Sequence, residues 1–243
     1  MNKLHGFPVS NYVNMVHLAL LEKGLPFDYV LTIPDQSAGF LAKSPRGKVP
    51  VLETPQGFIN EASVILEYLE ETGSGKPLLP PEPYARAYVR SLMKEIELYI
   101  ELPARSCFAE AFFGGRVSQS IKDKARDDLA AGFGALRRHA RFAPFVAGES
   151  FTLADVVFLY SADLAVAVSK TLFSVDPLAE WPAAGALLQR LAANPNVQTI
   201  ARNREAARPA FVEAVKSRLA AAAAAAAQNA PSQSDADRPR TNR

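Results

Sequence analysis

A proline-dense segment divides this sequence into two parts with different patterns. Residues 76–83 read K-P-L-L-P-P-E-P. Because proline fixes φ and has no backbone N–H to donate, a continuous helix or an interior strand does not run through such a segment. Strand-like and helical patterns alternate before it, and only helical patterns follow it. The sequence therefore predicts an α/β domain joined to an all-helical domain.

The part before this boundary predicts the order βαβ followed by ββα. Apolar residues recur at helical spacing in the predicted helices, and residues 27–33 alternate with a period of two, as in a strand. The predicted strands are residues 4–7, 27–33, 49–53 and 57–59, and the predicted helices are residues 10–23, a short piece at 38–43, and a segment that starts within 60–63 and ends near 73.

The part after the boundary predicts helices alone. T-L-A-D at residues 152–155 is a capping box, which marks a helix start. The predicted helices are residues 84–113, 118–142, 152–172, 183–193 and a last one from about 203 to 220.

The chain is thus divided into a domain of residues 1–79, an all-helical domain of residues 80–219 and a tail of residues 220–243. The alanine run at 220–227 can prolong the last helix, because alanine has the highest helix propensity. The polar, proline-containing residues after Gln228 are expected to be disordered.

Composition and charge exclude several classes of function. The formal net charge is +2, with 49% hydrophobic and 21% charged residues, so no basic surface for nucleic acid is expected. The histidines are scattered and Cys107 is the only cysteine, so we expect neither a metal site nor an internal disulfide. No apolar segment long enough to span a bilayer and no signal-peptide pattern are found. We therefore expect a cytoplasmic protein without a membrane partner.

Pro50 lies inside a predicted strand, where it cannot donate to a ladder. This position predicts a strand at a sheet edge, or one that faces a ligand. If the Val49–Pro50 bond is cis, the backbone of Val49 becomes available to an extended peptide. The helix start at residues 60–63 offers free amides and a positive dipole end to a carboxylate. A turn followed by a capped helix, without any ligand, fits the spacing equally well.

The segments G-K-V-P-V-L (47–52) and E-A-S-V-I-L-E-Y-L (61–69) resemble the glutathione site of glutathione S-transferases. G-E-S-F-T-L-A-D-V-V-F (148–158) is similar to the helix start in the C-terminal domain of that family, and the likeness covers nearly all of the chain except the tail. The resemblance implies a thioredoxin-like N-terminal domain, an all-helical C-terminal domain, a homodimer and a role in detoxification. It also implies that glutathione is a co-substrate and that the protein has no prosthetic group.

The resemblance also implies which residues bind glutathione. The backbone of Val49, beside a cis-proline at Pro50, pairs with the cysteinyl unit. Glu61 and Ala62 hold the amine and carboxylate of the γ-glutamyl unit. Lys48 either contacts the glycyl carboxylate or is a solvated surface lysine.

This sequence departs from the family at Ala62, where serine or threonine is usual. The missing hydroxyl puts about 1 kcal/mol of binding free energy at stake, and Ser63 is the residue that could compensate. Some plant-type members carry a His-Lys pair upstream, and here Gln36 and Ser37 stand at those positions.

Aligned with serine-type members, Ser10 takes the catalytic position at the N-terminus of the first helix. A hydroxyl donor and a helix N-terminus both favour a thiolate over a thiol. The alternative is that Ser10 is only an N-cap. Asn11 either assists Ser10 or caps the helix, and Tyr12 is the reserve candidate.

The first helices of the C-terminal domain form the electrophile site in this family. The candidates in this chain are Tyr12, Tyr99, Cys107, Phe108 and Phe112.

We expect a glutathione S-transferase that ionises the glutathione thiol and conjugates it to a hydrophobic electrophile. One alternative is a glutathione-dependent peroxidase or disulfide reductase, which uses the same thiolate. The other is a non-catalytic binding protein that keeps the fold, to which the alanine at position 62 gives weight.

Overall fold

The computed structural model describes the backbone of residues 1–228 and the side chains as far as residue 222. The predicted disorder after Gln228 falls outside the described residues. The N-terminal domain contains β1 (Asn2–Gly6), α1 (Asn11–Lys23), β2 (Phe27–Leu31), α2 (Ala38–Leu41), β3 (Val51–Thr54), β4 (Gly57–Asn60) and α3 (Ala62–Glu71).

The strands form one mixed sheet in the order β2-β1-β3-β4, with β1 parallel to β2 and both other pairs antiparallel. The predicted βαβ–ββα order is therefore confirmed. The expectation of an edge strand at Pro50 is wrong, because β3 lies between β1 and β4. Pro50 directly precedes the first residue of β3, where the missing N–H removes no ladder bond.

The C-terminal domain contains helices and no β-strand among its described residues. Its elements are α4 (Pro83–Ile96), a π-helical segment (Glu97–Glu101), α5 (Leu102–Arg105), α6 (Phe108–Phe113), α7 (Gln119–His139), α8 (Leu153–Phe173), α9 (Pro182–Ala192) and α10 (Pro195–Gln228).

The single helix predicted over residues 84–113 is wrong, because the chain leaves regular α-helical geometry at residue 97. Pro103 has no N–H for the carbonyl of Tyr99, four residues earlier, so that hydrogen bond is lost. The freed carbonyl lies against α7 at Gly132, where a Cβ would approach it to 2.1 Å. A glycine at position 132 thus lets α7 pack closely on the π-helical segment.

The last helix begins earlier and ends later than predicted. It runs from Pro195 to Gln228. It therefore includes the alanine run, which the sequence analysis placed in the tail but described as able to prolong the helix. Residues 220–228 thus continue α10.

α8 is the central helix of the C-terminal domain. It contacts α1, α4 and the π-helical segment, and much of its length is buried. By length and composition alone α8 could cross a bilayer, contrary to the expectation from the sequence. A buried core helix meets the same criteria, so this is weak evidence for a membrane.

The predicted capping box at the start of α8 is confirmed. Asp155 is fully buried, and its carboxylate accepts hydrogen bonds from the backbone N–H groups of Thr152 (2.7 Å) and Val146 (2.8 Å). The same side chain thus caps α8 and anchors the loop that precedes it.

Replacing Asp155 with alanine should lower the free energy of unfolding by about 3 kcal/mol, because two buried N–H groups lose their acceptor. Urea unfolding at neutral pH measures this change. Asp163→Ala is the matched control on the same helix, since the ion pair between Asp163 and Arg204 is half-exposed. This variant should lower the free energy of unfolding by less than about 1 kcal/mol. Equal costs for the two variants would contradict the assignment.

Candidate functional site

The loop before β3 presents unpaired backbone. The Val49–Pro50 peptide bond is cis, as the proposed site required. Ser44 holds the preceding turn, since its hydroxyl donates to the carbonyl of Lys48 (2.8 Å) and accepts from its N–H (2.9 Å). Within residues 1–228, the N–H and C=O of Val49 have no hydrogen-bond partner. Both are therefore available to an extended peptide.

The side chains around this loop are polar and partly exposed. Lys48 is exposed and Val49 is half-buried. Gln36, at one of the two upstream positions that differ from plant-type members, lies against Gly47, where a Cβ would approach its Nε2 to 2.3 Å. Ser37 caps α2 through a hydrogen bond from the N–H of Phe40.

Glu61 has a strained backbone at the start of α3. Its φ is 67° and its ψ is 119°, a conformation that a residue with a side chain rarely adopts. Strain of this kind costs about 1–3 kcal/mol and concentrates at functional sites. Glu61 makes no side-chain cap, so the first amides of α3 remain free to bind an anion.

Ala62 and Ser63 differ in what they contact. Ala62 is buried and lines a small cleft together with Tyr12 and Met93. The Ser63 hydroxyl accepts a hydrogen bond from Lys94 on α4 (3.2 Å). Ser63 is therefore engaged by the C-terminal domain, which weakens the idea that it replaces the hydroxyl missing at residue 62.

Ser10 caps α1 and still has a proton to donate. Its Oγ accepts from the N–H of Val13 at 3.4 Å, and its own backbone is extended, as at an N-cap. That bond uses a lone pair of the hydroxyl and leaves its O–H free. The two roles considered for Ser10, N-cap and donor to a thiolate, are therefore compatible.

Asn11 is connected to the C-terminal domain. Its side chain is buried, and its Oδ1 accepts from Nη2 of Arg105 at 2.7 Å. Arg105 also donates to Glu101, which is fully buried. Sequence analysis missed Arg105 and Glu101. Their spacing of four residues indicates an ion pair on one helix face, but not its contact with a residue 94 positions away.

Three of the candidate electrophile-site residues are brought together by Arg105. Its guanidinium lies over the ring of Tyr12 (4.7 Å to the centroid) and over that of Phe108 (5.0 Å), and Phe108 packs on Phe112 (5.1 Å). Burial, together with the charge of Glu101, raises the pKa of Tyr12, so that its phenol stays protonated at neutral pH.

Further phenylalanines extend this group into a cluster that joins the two domains. Phe113 contacts Phe211 of α10, which stacks on Phe7 next to the Ser10 loop (5.1 Å). Sequence analysis did not select Phe7 or Phe211. The spacing of the apolar residues in α6 indicated only that the phenylalanines of that helix belong to the cluster. We define the aromatic cluster as Phe7, Phe108, Phe112, Phe113 and Phe211.

The structure does not bring the other two candidates to the aromatic cluster. Cys107 is fully buried in the core. Tyr99 is half-exposed and lines a different surface cavity, together with Leu98 and His139. In the part of the chain that the structure describes, no group of three His, Cys, Asp or Glu side chains is placed to hold a metal ion.

Comparisons with known proteins agree with this geometry. A family model described as "Glutathione S-transferase, N-terminal domain" matches residues 4–77. A glutathione S-transferase of Pseudomonas putida is 59% identical over 217 residues, which are 89% of this chain and 99% of that protein.

Solved structures give the same result. A glutathione S-transferase of Methylobacterium radiotolerans in complex with glutathione sulfonate has a TM-score of 0.64 at 28% identity, and the match covers 80% of this chain and 92% of that one. A glutathione S-transferase of Pseudomonas fluorescens has a TM-score of 0.66 at 25% identity, covering 80% and 96%.

Proposed function

The chain belongs to the glutathione S-transferase family and is a transferase that takes glutathione as a substrate, and from this premise we propose how its residues act. Ser10 assists ionisation of the glutathione thiol, and the resulting thiolate attacks an apolar electrophile at the aromatic cluster.

The observation that carries this proposal is a pair of unfilled backbone sites, one before β3 and one at the start of α3. Because Val51 of β3 pairs with His5 of β1, they lie at the edge of the sheet from which the chain continues to Ser10. The backbone of Val49 before β3 has no hydrogen-bond partner within the described residues, and the uncapped start of α3 leaves amides for a carboxylate. Glutathione has a peptide backbone for the first site and a γ-glutamyl carboxylate for the second. Its cysteinyl sulfur then lies toward Ser10.

The chemistry needs only a stabilised thiolate. The hydroxyl of Ser10 donates a hydrogen bond to the sulfur, and the N-terminus of α1 adds its positive dipole end. The thiol proton goes to solvent. The sulfur forms a bond to the electrophilic carbon, whose leaving group departs with the bonding electron pair, as in nucleophilic aromatic substitution.

The aromatic cluster supports an apolar electrophile. Its rings present an apolar face next to the Ser10 loop, and planar aromatic substrates pack well on such rings. A role in detoxification follows from this substrate class. We place the reaction in the cytoplasm, because that compartment keeps glutathione reduced.

Two rival functions are separated by one set of assays. We expect the protein to be retained on immobilised glutathione and to conjugate glutathione to a chlorodinitrobenzene. Turnover of peroxides or disulfides in place of that conjugation would favour the reductase. Retention without any turnover would favour the binding protein, and absence of both retention and turnover would refute the proposal.

Ser10→Ala should lower kcat/KM for conjugation about 10- to 100-fold, because a hydrogen bond to an ionised sulfur is lost. Ser118→Ala is a matched control, since Ser118 caps α7 with the same 3.4 Å bond. Both variants should lose a similar stability of about 1 kcal/mol. Unchanged turnover in Ser10→Ala would assign to Ser10 a capping role only.

Ala62→Ser should tighten glutathione binding about fivefold, because the restored hydroxyl gives the γ-glutamyl carboxylate a further donor. Titration calorimetry measures this change. Ser63→Ala is the control and should leave affinity within about twofold, since its hydroxyl contacts Lys94. A large loss in the control would show that Ser63 does compensate for Ala62.

We also propose that the protein forms a homodimer through an exposed apolar patch. Leu98, Tyr99, Leu102 and Ile121 are each about half-exposed. Leu98 lines two neighbouring surface cavities, one of about 610 Å³ with Tyr99 and one of about 270 Å³ with Leu102 and Ile121. An apolar patch rimmed by charged residues, in this protein Glu95, Arg138 and Lys124 among others, is typical of an interface.

Leu98→Asp should convert the dimer to a monomer of 26.3 kDa by light scattering, because a carboxylate in the patch would have to be desolvated. Leu31→Asp is the control, since Leu31 is even more exposed but lies on the edge strand β2. A monomeric wild-type protein, or a dimer that tolerates Leu98→Asp, would contradict this assignment.

A further inference from the structure

Arg105 reaches from the C-terminal domain to the first turn of α1. Its Nη2 donates to Oδ1 of Asn11, the residue that follows Ser10, at 2.7 Å. The bond defines the orientation of the Asn11 carboxamide, since the oxygen must face the guanidinium. The Nδ2 of Asn11 then faces away from Arg105, and this buried donor has no hydrogen-bond partner within the described residues.

Arg105 is itself held in place from the other side. Its Nε donates to Oε1 of Glu101 at 3.0 Å, and Nη2 donates to the same oxygen. Glu101 is fully buried. A carboxylate taken out of water is stable only when it is paired, so Glu101 fixes the guanidinium strongly. Contact with the rings of Tyr12 and Phe108 restricts it further.

Glu101 ends the π-helical segment, and Arg105 ends α5. The departure from α-helical geometry before Pro103 therefore occurs just where this pair is formed. Single π-helical turns are frequent at functional sites, and the turn in this chain decides where the Glu101–Arg105 pair meets α1.

We propose that Arg105 is a positioning residue for the reacting thiolate: it holds Asn11 so that Nδ2 donates to the glutathione sulfur beside Ser10, and its guanidinium adds positive charge there. The inference rests on the proposed function. It assigns to the C-terminal domain a part in activating the thiol, in addition to forming the electrophile site.

The other charged and titratable groups around Arg105 are few. Glu101 and Glu97 face this region from the π-helical segment, and the phenol of Tyr12 faces it from α1. Glu97 is paired with Lys94. The Glu101–Arg105 pair is thus a dipole whose positive end lies toward Asn11, the arrangement that favours an anion near Ser10.

The test is a pH titration of the glutathione complex, followed by the ultraviolet absorbance of the thiolate. In Arg105→Gln the pKa of the bound thiol should rise by about one unit, so that about tenfold less thiolate is present at low pH. Asn11→Leu should give a similar rise. Because Arg105 orients Asn11, the variant that combines both changes should be no worse than Arg105→Gln alone.

Steady-state kinetics give a second readout. We expect kcat to fall with the thiolate fraction, while KM for glutathione changes less than about threefold, since the peptide backbone is bound elsewhere. Arg105→Lys should recover part of the loss, because it keeps the charge but not the forked geometry. Arg90→Gln is the matched control, since Arg90 pairs with Glu67 between α4 and α3.

Arg105→Gln leaves a buried carboxylate without its partner, so the protein could fail to fold. The double variant Glu101→Gln/Arg105→Gln removes both charges and keeps the test available, as does Asn11→Leu. A wild-type thiol pKa in these two variants would overturn the proposal. Absence of a thiolate signal in the wild-type complex would instead refute the proposed function.

Discussion

The buried ion pair between Lys23 and Glu70 fixes the start of the linker between the two domains. The charged atoms lie 2.6 Å apart, with side chains 2% and 10% exposed. Glu70 also accepts the N–H groups of Leu78 and Leu79, and Lys23 donates to the carbonyl of Lys76. The ends of α1 and α3 are thereby fastened to the proline-dense linker. A half-broken pair would leave a buried charge, which is strongly unfavourable.

With the linker fixed, α1 becomes the element shared by the two domains. Its C-terminal end belongs to this ion pair, and its N-terminal end contains Ser10 and Asn11. Arg105 and the aromatic cluster reach that end from the helical domain. A site assembled at the N-terminus of a helix held at both ends is rigid, and rigidity is what stabilisation of a thiolate by hydrogen bonds requires.

The start of α3 departs from the usual local preferences of a helix N-terminus. Glu61 accepts a positive φ, and no side chain caps the helix that it begins. These two features leave the first backbone amides of α3 free. In a fold optimised for stability alone, a capping side chain would accept their hydrogen bonds. Ser10 follows the local rules as a cap and still donates its proton, because the hydroxyl is both donor and acceptor.

The sequence by itself determined the order of strands and helices before the linker, the linker, the capping box at Asp155 and the glutathione motif around Pro50. Each depends on residues close together along the chain, where periodicity, caps and turns act. It did not reveal the break at Glu97, the contact of Arg105 with Asn11 or the closure of the aromatic cluster by Phe211. Only the tertiary structure decided these, because they join residues far apart in sequence, whose meeting depends on how the helices pack around α1 and α8.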